Sequence, residues 1–189
     1  MILPRTTQSP WQTRTSRIAY EARALRIRED EVIRPDGQPG HYSYVEYAYP
    51  VACIVALDGD QRIYLVRQWR YPWGCDSWEI PGGSCGDDDP LTGAQRELRE
   101  EAGLVARSWT PLGTFFVSAS IAARFHLFLA RDLEEVATER DPEEQDMLAQ
   151  PVPLVLALAA AADGTIMHAA TITALYKLTH FLAQEHAAR

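Results

Sequence analysis

The chain has 189 residues, 47% of them hydrophobic, with a formal net charge of −8. That is enough apolar material for one compact core, and an acidic balance without a basic run argues against a nucleic-acid or anionic-membrane surface. Cys53, Cys75 and Cys85 are odd in number and lack metal-type spacing, so free thiols in a reducing, cytoplasmic compartment are expected rather than a disulfide framework.

The first ten residues contain no apolar signal-peptide core. Arg17 to Glu29 and Tyr42 to Tyr49 read as extended segments rich in tyrosine and aliphatic residues, joined through the turn-rich Pro35-Asp36-Gly37-Gln38-Pro39-Gly40. Two strands alone are marginal in water and need another sheet or subunit to cover them. Residues 1–48 are therefore expected to form a small antiparallel β extension, ahead of a main domain over 49–189. Val51 to Leu57 and Arg62 to Arg70 read as a hairpin across Asp58-Gly59-Asp60. An apolar strand then leads into Pro81-Gly82-Gly83. A glycine pair there lets the backbone approach a ligand closely and turn a carbonyl toward it.

A helix is expected over about Pro90 to Ala102, with Asp89 as N-cap and proline at N1. Leu91, Ala94, Leu98 and Ala102 form the stripe that seats it on a core. Glu97, Glu100 and Glu101 fall within an arc of about 100° on the adjoining face. Like charges so spaced cost a bare helix a few tenths of a kcal/mol, roughly, per pair. A hard divalent cation such as Mg²⁺ or Mn²⁺ reverses that sign. The bland alternative is a solvated acidic face, with Arg96 as the i, i+4 partner of Glu100.

Further on, strands are expected near Pro111 to Val117 and Ala123 to Ala130, then a polar stretch from Glu134 to Asp146. The apolar run Met147 to Ala162 is interrupted by Gln150, Pro151 and Pro153, too short and broken to span a bilayer. Helices near Pro153 to Ala162 and Thr171 to His186 close the chain. This mixed order suggests a sheet covered by helices on both sides. His126 reads as a structural histidine within a strand, and His41, His168, His180 and His186 form no metal-ligand spacing.

From Gly82 to Leu104 the chain resembles the signature of the Nudix hydrolases, Gly-x5-Glu-x7-Arg-Glu-U-x-Glu-Glu-x-Gly-U, where U is aliphatic. Arg96-Glu97-Leu98-Arg99-Glu100-Glu101-Ala102-Gly103-Leu104 matches its second half at every fixed position. In the first half Asp88 stands where the family has glutamate, and the loop is one residue short when counted from Gly83. The resemblance implies an α/β/α sandwich with a mixed sheet (α+β). It further implies a Mg²⁺- or Mn²⁺-dependent hydrolase that splits a nucleoside diphosphate linked to another moiety. Glu97, Glu100, Glu101 and the Gly82 carbonyl would hold the metal. Arg96, Asp88 and Gly83 would support the loop and orient the carboxylates.

Leu65-Val66-Arg67-Gln68-Trp69-Arg70-Tyr71-Pro72 and Trp78-Glu79-Ile80-Pro81-Gly82-Gly83 look like the ADP-ribose and nucleotide-sugar pyrophosphatase branch. That branch implies a homodimer built through exchanged N-terminal strands, with Trp11 and Tyr20 as candidates to stack on the nucleobase. Arg67 and Arg70, alternating with Gln68 along one strand, read either as holders of diphosphate oxygens or as an exposed strand face with charged ends. The branch further implies a general base in Glu139-Arg140-Asp141-Pro142-Glu143-Glu144-Gln145-Asp146, with Glu144 preferred and Glu143 next. Ser118-Ala119-Ser120-Ile121-Ala122-Ala123-Arg124 replaces the branch's Ser-Pro-Gly and following glutamate, which leaves ADP-ribose against other nucleotide sugars undecided. The rival reading is a Nudix-fold sensor that binds a nucleotide sugar without hydrolysing it.

Overall fold

The computed structural model describes residues 3, 6–138 and 146–188. In chain order they form β1 (Gln12–Glu21), β2 (Leu25–Ile33), β3 (Pro39–Tyr47), β4 (Val51–Ala56), β5 (Arg62–Arg70), β6 (Cys75–Glu79) and β7 (Gly82–Ser84). Helix α1 (Pro90–Ala102) follows, then β8 (Leu104–Phe115), β9 (Ile121–Ala122), β10 (Phe125–Glu135), β11 (Leu148–Pro153), α2 (Leu154–Ala162) and α3 (Ala169–Ala187).

The chain groups into two units. In the smaller, the described residues up to Ala48 join Ser118–Ala123 as a sheet in the order β1-β2-β3-β9. β1, β2 and β3 are antiparallel, and β9 lies parallel to β3, with Ile121 opposite Val45. A division at residue 48 alone leaves Ser118–Ala123 with the larger unit; the structure pairs it with β3 instead. The expected single run Arg17 to Glu29 is two strands. The chain reverses after Ala22, whose N–H donates to Leu25 O at 2.9 Å. Ala22-Arg23-Ala24 contains none of the residues that usually announce a turn, so nothing in the sequence marks the reversal.

In the larger unit one sheet has the order β7-β4-β10-β8, with β10 parallel to β4 and antiparallel to β8. A second, antiparallel sheet has the order β11-β5-β6. The turn after β4 closes as expected, Asp58 N–H donating to Arg62 O at 3.0 Å. Its ladder stops at a single bridge between Leu57 and Ile63, however, and β4 and β5 enter different sheets. β4 is apolar on both faces, which suits a central strand covered on both sides. β11 is an element the sequence reading misses, because Pro151 and Pro153 argue against a ladder. It is the edge of its sheet, where missing donors are tolerated.

The main core explains the layers. Ala52, Ile54 and Ala56 of β4 cluster with Phe128 and Ala130 of β10 and with Ala94 and Leu98 of α1. Cys53 and Val55, on the other face of β4, are equally buried, and α3 contacts β4 and buries Ala174, Leu175 and Leu178. Helices therefore cover both faces, giving the α/β/α sandwich. Among the described residues no helix is long and apolar enough to cross a membrane.

Candidate active site

Helix α1 is fixed at both ends. Asp89 Oδ1 accepts the N–H of Leu91 at 3.0 Å and of Thr92 at 3.2 Å, with proline at the first turn. Gly103 closes the other end at φ 65°, in the left-handed region that suits glycine. With Ala94 and Leu98 directed into the core, Glu97 and Glu101 are drawn below the surface, 7% and 3% exposed. Glu100 stays half-buried. A wholly solvated acidic face is thereby ruled out for Glu97 and Glu101. Burying a carboxylate costs several kcal/mol, roughly, unless partners compensate.

Those partners join the helix to the glycine strand. Gly82 N–H donates to Glu101 Oε2 at 2.7 Å. Arg96 Nη1 lies 2.9 Å from both Glu97 Oε1 and Glu100 Oε2, while its Nη2 donates to Ser84 O at 2.7 Å. Its Nε is 3.6 Å from Asp88 Oδ2. Burial opposes the Arg96 charge, but Glu97 and Glu100 outweigh it and raise its pKa. Arg96 is thus both the helical partner of Glu100 and a tie to the loop.

β7 places Gly82 opposite Cys53 and Gly83 opposite Ala52. A Cβ on Gly82 would stand 2.4 Å from Ala52 O, and one on Gly83 would lie 2.6–2.8 Å from the carboxylate atoms of Glu97. The Gly82 position, closed by backbone, tolerates no side chain, and one at Gly83 would push the Glu97 carboxylate out of its place. Among the described residues no three His, Cys, Asp or Glu side chains already form a cation cage. Glu97 and Glu100 turn to Arg96, and Glu101 to Gly82. The donor chemistry still fits a hard divalent cation: three carboxylates on one arc, beside backbone brought close by the absence of side chains.

The other sequence candidates are dispersed. Residues 67 and 70 fall on opposite faces of β5, since side chains alternate along a strand. Arg67 approaches Asp76 Oδ2 at 3.9 Å and lies 6.0 Å over the Trp78 ring. Arg70 donates Nε and Nη2 to the two oxygens of Glu79, 2.8 Å each. The two arginines therefore do not form one clamp on a single strand face. Trp11 and Tyr20 belong to the smaller unit; Trp11 makes an edge contact with Tyr42 at 5.6 Å, and Tyr20 is exposed on β1. Glu144 and Glu143 lie outside the described residues.

Sequence reasoning misses a buried polar group beside the glycine strand. Glu79 is 3% exposed at the end of β6. Burial disfavours its charge, yet the Arg70 hydrogen bonds and the neighbouring His168 hold its carboxyl below its ordinary pKa. His168 Nδ1 lies 3.2 Å from Glu79 Oε2 and 3.0 Å from Thr171 Oγ1. Burial lowers the His168 pKa more than Glu79 raises it. The available signal was an ionisable residue between apolar ones in Trp78-Glu79-Ile80; His168 carries none in its spacing, since its partners Glu79 and Thr171 are met through the fold.

Comparison with known proteins bears on this geometry. The family profile described as NUDIX domain matches residues 47–169, and that described as nucleoside diphosphate sugar hydrolase N-terminal domain matches residues 11–45. The chain is 31% identical over 181 residues to an ADP-ribose pyrophosphatase of Mycobacterium tuberculosis, covering 92% of this chain and 87% of the relative. An ADP-ribose pyrophosphatase of Bacillus subtilis is 28% identical over 131 residues, 68% of this chain and 70% of the relative. A methanol dehydrogenase activator of Bacillus methanolicus is 31% identical over 129 residues, 66% and 69% of the two chains. A solved ADP compounds hydrolase shares the fold, with a TM-score of 0.82 at 17% identity, covering 96% of this chain and 98% of that one.

Proposed function

The chain belongs to the Nudix family and is a Nudix pyrophosphatase, and from that premise we propose that it splits ADP-ribose or a related nucleoside diphosphate sugar. The products are a nucleoside monophosphate and a sugar phosphate, and the reaction depends on Mg²⁺ or Mn²⁺. The observation that carries the reading is the burial of Glu97 and Glu101 against Gly82 and Gly83. The relatives named ADP-ribose pyrophosphatase support the substrate class.

Glu97, Glu100, Glu101 and the Gly82 carbonyl would hold the cation. When bound, it supplies neutralisation of phosphate charge and a more acidic water. The residues of the chain do the rest. Arg96 keeps the carboxylates and the loop in register, with Asp88 behind it. Of the two arginines assigned to the diphosphate we favour Arg67, whose ion pair is loose while Arg70 is committed to Glu79. Glu144 is assigned to take the proton from the attacking water, and Trp11 and Tyr20 to the nucleobase.

We place the enzyme in the reducing cytoplasm, consistent with three free thiols, and assign it a homodimer. The smaller unit supports the dimer, since Trp11, Ile18, Tyr20, Ile27 and Tyr42 are all exposed on it. β1 is also a ten-residue edge strand exposed at every position. Sedimentation at micromolar concentration should give a dimer, and a chain starting at Tyr49 a monomer. A fully active full-length monomer contradicts this assignment.

Glu101→Gln tests the metal face. The amide keeps an oxygen for Gly82 N–H, so the melting temperature should change little. Turnover at limiting Mg²⁺ should fall by orders of magnitude. Turnover near wild type in that variant sinks the assignment.

A further inference from the structure

The peptide entering Gly82 is held from outside the signature segment. Thr171, fully buried in the first turn of α3, accepts the Ile80 N–H on Oγ1 at 2.9 Å. The same oxygen meets His168 Nδ1 at 3.0 Å, and that nitrogen lies 3.2 Å from Glu79 Oε2. Arg70 then closes the chain with two 2.8 Å hydrogen bonds to Glu79. Three side chains, Arg70 of β5 and His168 and Thr171 at the start of α3, thus converge on Glu79 and the Ile80 N–H. The next carbonyl, Pro81 O, accepts Ile54 N–H at 2.9 Å, and the next N–H, of Gly82, donates to Glu101.

The strand pairing alone does not require this arrangement. β5 and β6 already share a regular ladder from Val66–Glu79 to Arg70–Cys75. A carboxylate buried as Glu79 is, with partly exposed Arg70 and His168 as its partners, adds desolvation cost without guaranteed stability, so its placement against one peptide needs a reason. The peptide is the one whose neighbour must stay within reach of Glu101 and, through Gly83, of Glu97.

We propose that Arg70, Glu79, His168 and Thr171 are positioning residues that lock the Ile80–Gly82 backbone against α1 and so set the divalent-cation affinity of the glutamate face. This rests on the metal-dependent reading given above. Outer partners of metal ligands commonly change metal affinity by roughly 10–100-fold when removed. None of the four needs to touch the cation or the substrate.

The test is direct Mn²⁺ binding to the full-length protein by electron paramagnetic resonance, with thermal melts alongside. Thr171→Val keeps the shape and removes the acceptor, whereas Thr171→Ser keeps the hydroxyl. Expected is a roughly tenfold or greater loss of Mn²⁺ affinity in Thr171→Val, recovered in Thr171→Ser, with both variants folded at the assay temperature. Glu79→Gln should weaken Mn²⁺ binding likewise and stands in if Thr171→Val does not fold. Wild-type Mn²⁺ affinity in the folded variants, or equal losses in Thr171→Val and Thr171→Ser, overturns the proposal. Glu101→Gln separates the two levels. If it loses Mn²⁺ while Thr171→Val and Glu79→Gln keep it, only the positioning role falls. If wild type binds none, or Glu101→Gln binds like wild type, the metal reading falls with it.

Discussion

Asp88 Oδ2 stands 3.6 Å from Arg96 Nε, beyond a good hydrogen bond, while Arg96 engages Glu97, Glu100 and Ser84 at 2.7–2.9 Å. The shorter side chain thus leaves the loop tied mainly by Arg96. Asp88→Glu adds the methylene that closes this gap and should preserve or raise activity. Asp88→Ala removes a loose, half-exposed ion pair, a class worth about 0–1 kcal/mol, and should weaken metal dependence only modestly. Mg²⁺ titrations of activity in both variants check this. Complete loss in Asp88→Glu would mean that the loop takes a path in which the longer side chain has no room. At this scale the sequence was legible where geometry is encoded in spacing, as in the helical arc that carries Glu97, Glu100 and Glu101. It was silent on Glu79, His168 and Thr171, whose roles arise from contacts between residues distant in the chain.

Helix α1 acts through how closely it lies on β7 and the turn after it. Gly93 faces that turn, where an added Cβ would meet Cys85 Cα and Cβ at 3.0 Å and Sγ at 3.1 Å. Alanine at a helix-interior glycine gains about 1 kcal/mol of propensity. Overpacking typically costs ~1–3 kcal/mol, and here a backbone atom cannot swing aside. Gly93→Ala should therefore lower the melting temperature despite the better helix former. Gly59→Ala, with nothing within 4 Å of the added carbon, should change stability by less than ~0.5 kcal/mol. A higher melting temperature for Gly93→Ala would show that the helix is free to move outward. The boundaries of α1 were legible because Asp89-Pro90 and Gly103 are local signals. The separation of β4 from β5 was not legible, because a turn such as Asp58–Gln61 fixes a reversal but not which strands pair beyond it. β11 was hidden by two prolines that only an edge position tolerates.

The whole molecule combines a sandwich that carries the glutamate helix with a smaller sheet that recruits Ser118–Ala123 from within the larger sequence. The α/β/α class was readable from the order of elements, since apolar strands between amphipathic segments have few ways to bury both faces. The recruitment of β9 was not, because Ser118-Ala119-Ser120-Ile121-Ala122 has no strand pattern of its own and takes its place through pairing with β3. The central claim is hydrolysis of a nucleoside diphosphate sugar by a metal-dependent glutamate face. It is tested most directly by incubating the full chain with ADP-ribose, other nucleotide sugars, dinucleotides and triphosphates, with Mg²⁺ or with chelator, and identifying the products. The account predicts AMP and ribose 5-phosphate from ADP-ribose, or the matching monophosphate and sugar phosphate from a related substrate, with Mg²⁺ and not with chelator. Tight binding of a nucleotide sugar without turnover of any diphosphate would contradict it and favour a sensor.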